Sequence, residues 1–169
     1  MSLTSTRYKP AVFEDYAQQA FIKVTLQTPP AGWGGAILAK CEVGPIKEPA
    51  PGFSEIGYNF IMQVDGATEL EATYDQHRTK TPSLRGGLTF IPCDVLMAFK
   101  SNNAVQNFGC SSSKELWARI AAEYVKGDPT RISLAPRVNF RDPLTESILW
   151  ALQHELESGN LGGRLYVDS

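Results

Sequence analysis

The chain has 169 residues, 16 Lys+Arg against 18 Asp+Glu, two His and a formal net charge of −2. That is one domain of ordinary size, able to bury a core without disulfide or metal staples. The balance leaves no basic footprint for gripping phosphates, and the longest apolar runs, 95–99 and 148–152, fall far short of a membrane span.

Met1 to Thr6 has neither the basic start nor the apolar core of a secretory leader, and Cys41, Cys93 and Cys110 form no CxxC pair. Both features point to a reducing cytoplasm. Alternating runs predict strands at 21–26, 37–43, 56–64, 70–74, 88–91, 95–99 and 105–110. In 56–64 the even positions are bulky and apolar and the odd ones mostly small or polar. Leu70, Ala72 and Tyr74 alternate with Glu69, Glu71 and Thr73, one packed and one wet face of an antiparallel sheet. Gly44-Pro45, Asp65-Gly66, Gly86-Gly87 and the Pro-rich stretches at 29–32 and 49–52 supply turns, and 75–80 reads as a polar hairpin-like connection.

Periodicity changes near Ser111. Ser111-Ser112-Ser113 offers caps for a helix over 114–126, with Leu116, Trp117, Ile120, Ala121 and Tyr124 on one face and Gly127 as its stop. Asp142-Pro143 then opens a second helix, on which Leu144, Ile148, Leu152 and Leu156 form an apolar stripe ending at Gly159. Leu149 and Trp150 widen that stripe beyond what one partner surface needs, which points to a homodimer formed through Leu144, Ile148, Leu149, Leu152 and Leu156. Residues 161–169 read as a linker and the opening of another helix. The expected fold is mainly β: a small antiparallel barrel or jelly roll over 1–110, followed over 111–169 by two to three helices.

A search for chemistry finds little. No phosphate loop is present, and the glycines at 32, 34 and 35 lack the third glycine of a dinucleotide fingerprint. Gly109 to Ser113 begins like a nucleophile elbow but ends in Ser where Gly is needed. With only His77 and His154, no motif sets groups at metal-ligand spacing, so no metal and no cofactor is expected. The side chains expected to line a barrel interior, and with it a small-molecule effector, are Tyr58, Phe60, Met62, Tyr74, Phe90, Met97 and Phe99. Gln63, Arg85 and Lys100 are the polar candidates.

The run 86–99 resembles the second sequence motif of the cupin superfamily. Gly86 and Pro92 match it, whereas Asp94 stands at its glycine, Met97 at its metal-binding histidine and Ser101 at its asparagine. Residues 142–159, with Arg164-Leu165-Tyr166-Val167-Asp168-Ser169, are similar to the segment that joins the sensor and DNA-binding halves of AraC-type transcriptional regulators. There a DP-led helix, an ELE-type ending with Gly and a GGRLY segment recur in this order. The resemblance covers roughly the last hundred residues. It implies a cupin-like barrel that senses a small molecule, helices that dimerise, and contact with DNA only through a C-terminal helix-turn-helix domain absent from this chain. On this reading the chain is a bacterial-type regulatory domain and not an enzyme. The alternative is a stand-alone metal-free cupin enzyme, a lyase or isomerase, using Glu55, Asp65 or Asp94 with Tyr58 as an acid/base pair.

Overall fold

A computed structural model describes residues 19–28, 35–52, 57–128 and 132–159. Ten strands and two helices are present among them: β1 (Ile22–Gln27), β2 (Ala36–Val43), β3 (Ile46–Pro51), β4 (Tyr58–Asp65), β5 (Ala67–Tyr74), β6 (His77–Leu84), β7 (Leu88–Ile91), β8 (Met97–Ser101), β9 (Val105–Ser112), α1 (Lys114–Tyr124), β10 (Arg137–Phe140) and α2 (Pro143–Ser158). The strands form a six-stranded sheet in the order β1-β2-β9-β4-β7-β10 and a four-stranded sheet in the order β3-β8-β5-β6. Every pairing is antiparallel.

The central eight strands, β2 to β9, divide as 2-9-4-7 and 3-8-5-6. Successive strands therefore alternate between the sheets except at the β5–β6 hairpin, which is the double Greek key of a jelly roll. β1 and β10 extend the larger sheet at its two edges. Three elements differ from the expectation. β3 carries Pro49 and Pro51, and it is an edge strand, where a missing N–H does least harm. β6 was expected as a polar connection; it is the other edge of the same sheet, with His77, Arg78 and Lys80 exposed and Ser83 buried. β10 lies within the stretch expected to be helical and pairs with β7.

The two capped helices form, and the further helix expected to open within 161–169 lies outside the described residues. The Ser113 hydroxyl accepts from Leu116 N at 3.1 Å, and the Asp142 carboxylate accepts from Leu144 N and Thr145 N at 3.0 and 3.2 Å. Gly159 ends α2 in the left-handed region at φ 64°.

α2 lies on the outer face of the six-stranded sheet. Its Leu149, Leu152 and Leu156 are buried against Leu38, Met62, Val64, Leu88 and Phe108. The expected stripe is therefore corrected: Leu144 and Ile148 remain 71% and 51% exposed, and Leu149 takes their place against the barrel. At 3.6 residues per turn Leu144 stands about 110° from the centre of the arc shared by Leu149, Leu152 and Leu156. The proposed dimer residues thus divide. Leu149, Leu152 and Leu156 are used within the chain, and only Leu144 and Ile148 face outward.

A candidate ligand cavity between the sheets

Which face of β4 looks inward decides what lines the interior. The odd positions Asn59, Ile61 and Gln63 point between the sheets, beside Val43, Thr89 and Asn107. The even positions point the other way: Met62 packs under α2, Phe60 and Phe90 meet beside it with rings tilted by 34° and centroids 4.7 Å apart, and Tyr58 stacks on Trp117 of α1 at 4.5 Å. Of the seven side chains expected to line a pocket, Tyr58, Met62 and Phe90 are therefore on the opposite face, and Phe60 packs there too while bordering the smaller inner chamber. β4 is buried on both sides, so its bulkier row marks the helix-covered face and not the barrel interior.

Tyr74, Met97 and Phe99 do face inward. Met97 is fully buried with Ala72 and Ile91, and Tyr74 and Phe99 pack around that cluster, so this half of the interior is filled by its own side chains. The cupin motif's metal-binding histidine corresponds to Met97, which packs here as an apolar filler. The donor set does not fit a metal: among the described residues no group of three or more His, Cys, Asp or Glu could hold one. Asp94, at the motif's glycine, keeps a left-handed backbone at φ 64°.

The other half is open. A cavity of about 70 Å³ lies between the sheets, walled by Phe21, Val43, Ile46, Phe99 and Val105 and by the polar Gln63, Thr68, Ser83, Thr89, Ser101 and Asn107. A second chamber of about 30 Å³ shares Val43, Ile61 and Asn107 with it and reaches Cys41, Asn59 and Ser111. At the end of the barrel an outer groove of about 530 Å³ meets the first cavity at Phe21, Val43 and Val105.

Most of these polar groups are engaged. Gln63 Nε2 donates to the carbonyls of Gly66 and Ser83 at 2.7 and 3.2 Å, and its Oε1 accepts from Ser83 Oγ at 2.7 Å. Thr68 donates to Asn102 Oδ1 at 2.9 Å, Ser101 Oγ accepts from Ile46 N at 3.3 Å, and Ser111 donates to Asn59 Oδ1. Burial pushes the Cys41 thiol up to about 11, so it is neutral at physiological pH.

The remaining candidates sit elsewhere. Arg85 turns outward, its guanidinium 4.8 Å from the ring centre of Trp150 on α2. Lys100 lies in an outer groove with Glu69 and Glu71. Asp65 is exposed at the far end of β4 from Tyr58, about 23 Å away at ~3.3 Å per residue. Asp94 is exposed and paired with Lys114 at 3.1 Å, a contact that holds its carboxyl below the usual range. Glu55 lies outside the described residues. The proposed acid/base residues that are described therefore do not converge on the cavity. Of the polar candidates Gln63 alone lines the cavity; the missed signal was the row it belongs to, with Asn59, Asn107 and Ser111, polar positions recurring on strands central to a sheet.

One further feature joins the cavity to α2. Ser83 and Gly87 line it, and Gln63 is bonded through its backbone to the turn between them, with Gly86 N donating to Gln63 O at 2.8 Å and Gln63 N to Gly87 O at 3.0 Å. On the outer side of that turn the Arg85 carbonyl accepts from Arg141 Nη1 at 2.6 Å, and Arg141 grips Glu146 in the first turn of α2 through Nε and Nη2 at 2.9 and 3.1 Å. Gly86 has φ +83°, and a Cβ there would stand 2.7 Å from Arg141 Nη1.

Strand order and pairing together define a jelly-roll domain followed by helices. Among solved structures the chain is similar to hydroxypropylphosphonic acid epoxidase from S. wedmorenis, at 9% identity over 54% of this chain and 51% of that one, with a TM-score of 0.45. It is similar also to the cupin domain of Schizosaccharomyces pombe Cnp3, at 13% identity over 66% of this chain and 77% of that one, with a TM-score of 0.46. The match spans about half the length of the epoxidase. No family model and no curated protein matches the chain. The fold class rests on strand order and pairing.

Proposed function

We propose that the chain is the effector-sensing and dimerisation domain of an AraC-type transcriptional regulator, acting in the cytoplasm as a homodimer without enzymatic activity. One observation carries the reading. The turn at Arg85 to Gly87 forms part of the cavity wall on one side and grips α2 on the other, and α2 presents Leu144 and Ile148 to solvent on its outer face. A molecule inside the barrel and a partner on the helix would thus act on one rigid connection, which is what a ligand-biased dimer requires. The resemblance of residues 142–169 to the sensor-to-DNA linker of such regulators supports it independently.

Sedimentation velocity tests the dimer. The chain is expected to sediment as a dimer at micromolar concentration, and Ile148→Glu as a folded monomer that still unfolds cooperatively, its melting temperature lower only by what dimerisation supplies. A monomeric parent chain would remove dimerisation from the reading.

A further inference from the structure

We infer that the cavity between the sheets binds a small uncharged molecule with one hydrogen-bonding head and an apolar body, with Asn107 as its hydrogen-bonding partner and Phe21 as the wall that limits its size. The inference rests on the sensor reading and specifies its ligand.

Charge is the first constraint. The described residues around both inner chambers include no Asp, Glu, Lys, Arg or His. An ion moved there would lose its hydration without a counter-charge. A neutral ligand meets no such penalty.

Hydrogen bonding is the second. Gln63, Ser83, Thr68 and Ser101 are bonded within the protein. Asn107 lines both chambers, and its side chain makes no hydrogen bond among the described residues. A carboxamide both donates and accepts, so it suits an amide, a hydroxyl or a lactone carbonyl equally.

Size is the third. About 70 Å³ is less than half of the roughly 150 Å³ that accommodates benzene in an engineered cavity, and well under the ~300–1,000 Å³ of ordinary ligand pockets. Beyond Phe21 lies the outer groove of about 530 Å³, and the two spaces joined fall within that range; the groove's charged residues, Lys23 ion-paired with Glu42 at 3.3 Å and the exposed Asp65, stand outside the inner chambers, so the uncharged requirement applies to the head that reaches Asn107. Phe21 is only partly buried against the cluster of Ile22, Val43, Ile46, Ala50 and Val105. Its carbonyl is held by Gly44 N at 2.7 Å, so the ring can change rotamer while the backbone stays in place.

Benzamide and benzoate, alike in size and different in charge, make the probe pair. Their affinities for the parent chain, Phe21→Ala and Asn107→Leu are measured by calorimetric titration, with thermal unfolding to confirm that each variant folds. Benzamide is expected to bind about tenfold more tightly to Phe21→Ala and about tenfold more weakly to Asn107→Leu, the loss of one hydrogen bond. Benzoate is expected to bind none of them. If Asn107→Leu fails to fold, Asn107→Ala supplies the same comparison. Benzoate binding as well as benzamide overturns the ligand class. Benzamide affinities unchanged in both variants overturn the assigned residues, and no benzamide binding even to Phe21→Ala overturns the site. The oligomeric state of the parent chain is read separately, so a failed cavity and a failed regulator reading are distinguishable.

Discussion

At the scale of single residues the cysteines differ in their surroundings. Cys110 lies against the α2-covered core and Cys41 in the inner chamber, and burial pushes each thiol up to about 11. Cys93 sits on the turn after Pro92, and its thiol is raised chiefly by burial while the hydrogen bond from Lys114 opposes that shift. The thiolate is the reactive form, so alkylation by iodoacetamide at pH 8 is expected first at Cys93. Peptide mass spectrometry checks the order, and labelling of Cys110 before Cys93 would contradict the burial described. The sequence shows Met97 in place of a histidine, and the apolar packing of that position follows. It does not show that Asp94 keeps the left-handed backbone of the glycine it replaces, because that φ is imposed by the turn between β7 and β8.

For the elements, the faces of α2 make a direct test. Leu152 is 8% exposed within the core, whereas Leu144 is 71% exposed. Leu152→Ala is expected to destabilise by about 2–5 kcal/mol, and Leu144→Ala by under ~0.5 kcal/mol, in denaturant unfolding of the monomeric Ile148→Glu background. The far end of α2 is tied to β2 by Lys40 and Glu157, 2.7 Å apart. Lys40, with help from Gln153, holds the Glu157 carboxyl below its ordinary value of 4.5. A depressed carboxyl contributes stability above its unfolded value and loses it as pH falls through the folded one. The melting-temperature gap between the parent chain and Glu157→Gln is therefore expected near neutral pH and to close as pH drops below about 4.5. A gap that persists in acid would mean that the pair contributes nothing.

Legibility at this scale divides along a physical line. Caps, glycine stops and alternation are local, so both helices and most strands could be read from the sequence. β3 and β6 could not, since edge strands tolerate proline and polar residues that elsewhere signal loops. Nor could the orientation of β4 be read, because a two-faced strand needs its covering helix to be identified, and α2 lies about eighty residues later in the chain.

For the whole molecule the connection from cavity to helix sets a quantitative condition. If occupancy of the barrel shifts dimerisation by some factor, dimerisation must shift ligand affinity by the same factor. Benzamide affinity is therefore expected to differ between the parent dimer and monomeric Ile148→Glu, by the ratio in which benzamide changes the dimer dissociation constant; couplings of this kind run about 5–150-fold. Arg141 is the group that joins the Arg85 carbonyl to Glu146, so Arg141→Ala is expected to bring both ratios toward unity while leaving cavity residues in place. Gly86→Ala should act in the same direction, because its Cβ would displace the Arg141 guanidinium. Calorimetric titration and sedimentation equilibrium measure the two ratios independently. Equal ratios that survive Arg141→Ala would place the coupling in the packing of Leu149, Leu152 and Leu156 on the sheet rather than in the turn, whereas ratios of unity in the parent chain would leave the barrel and the helix as independent parts of one fold.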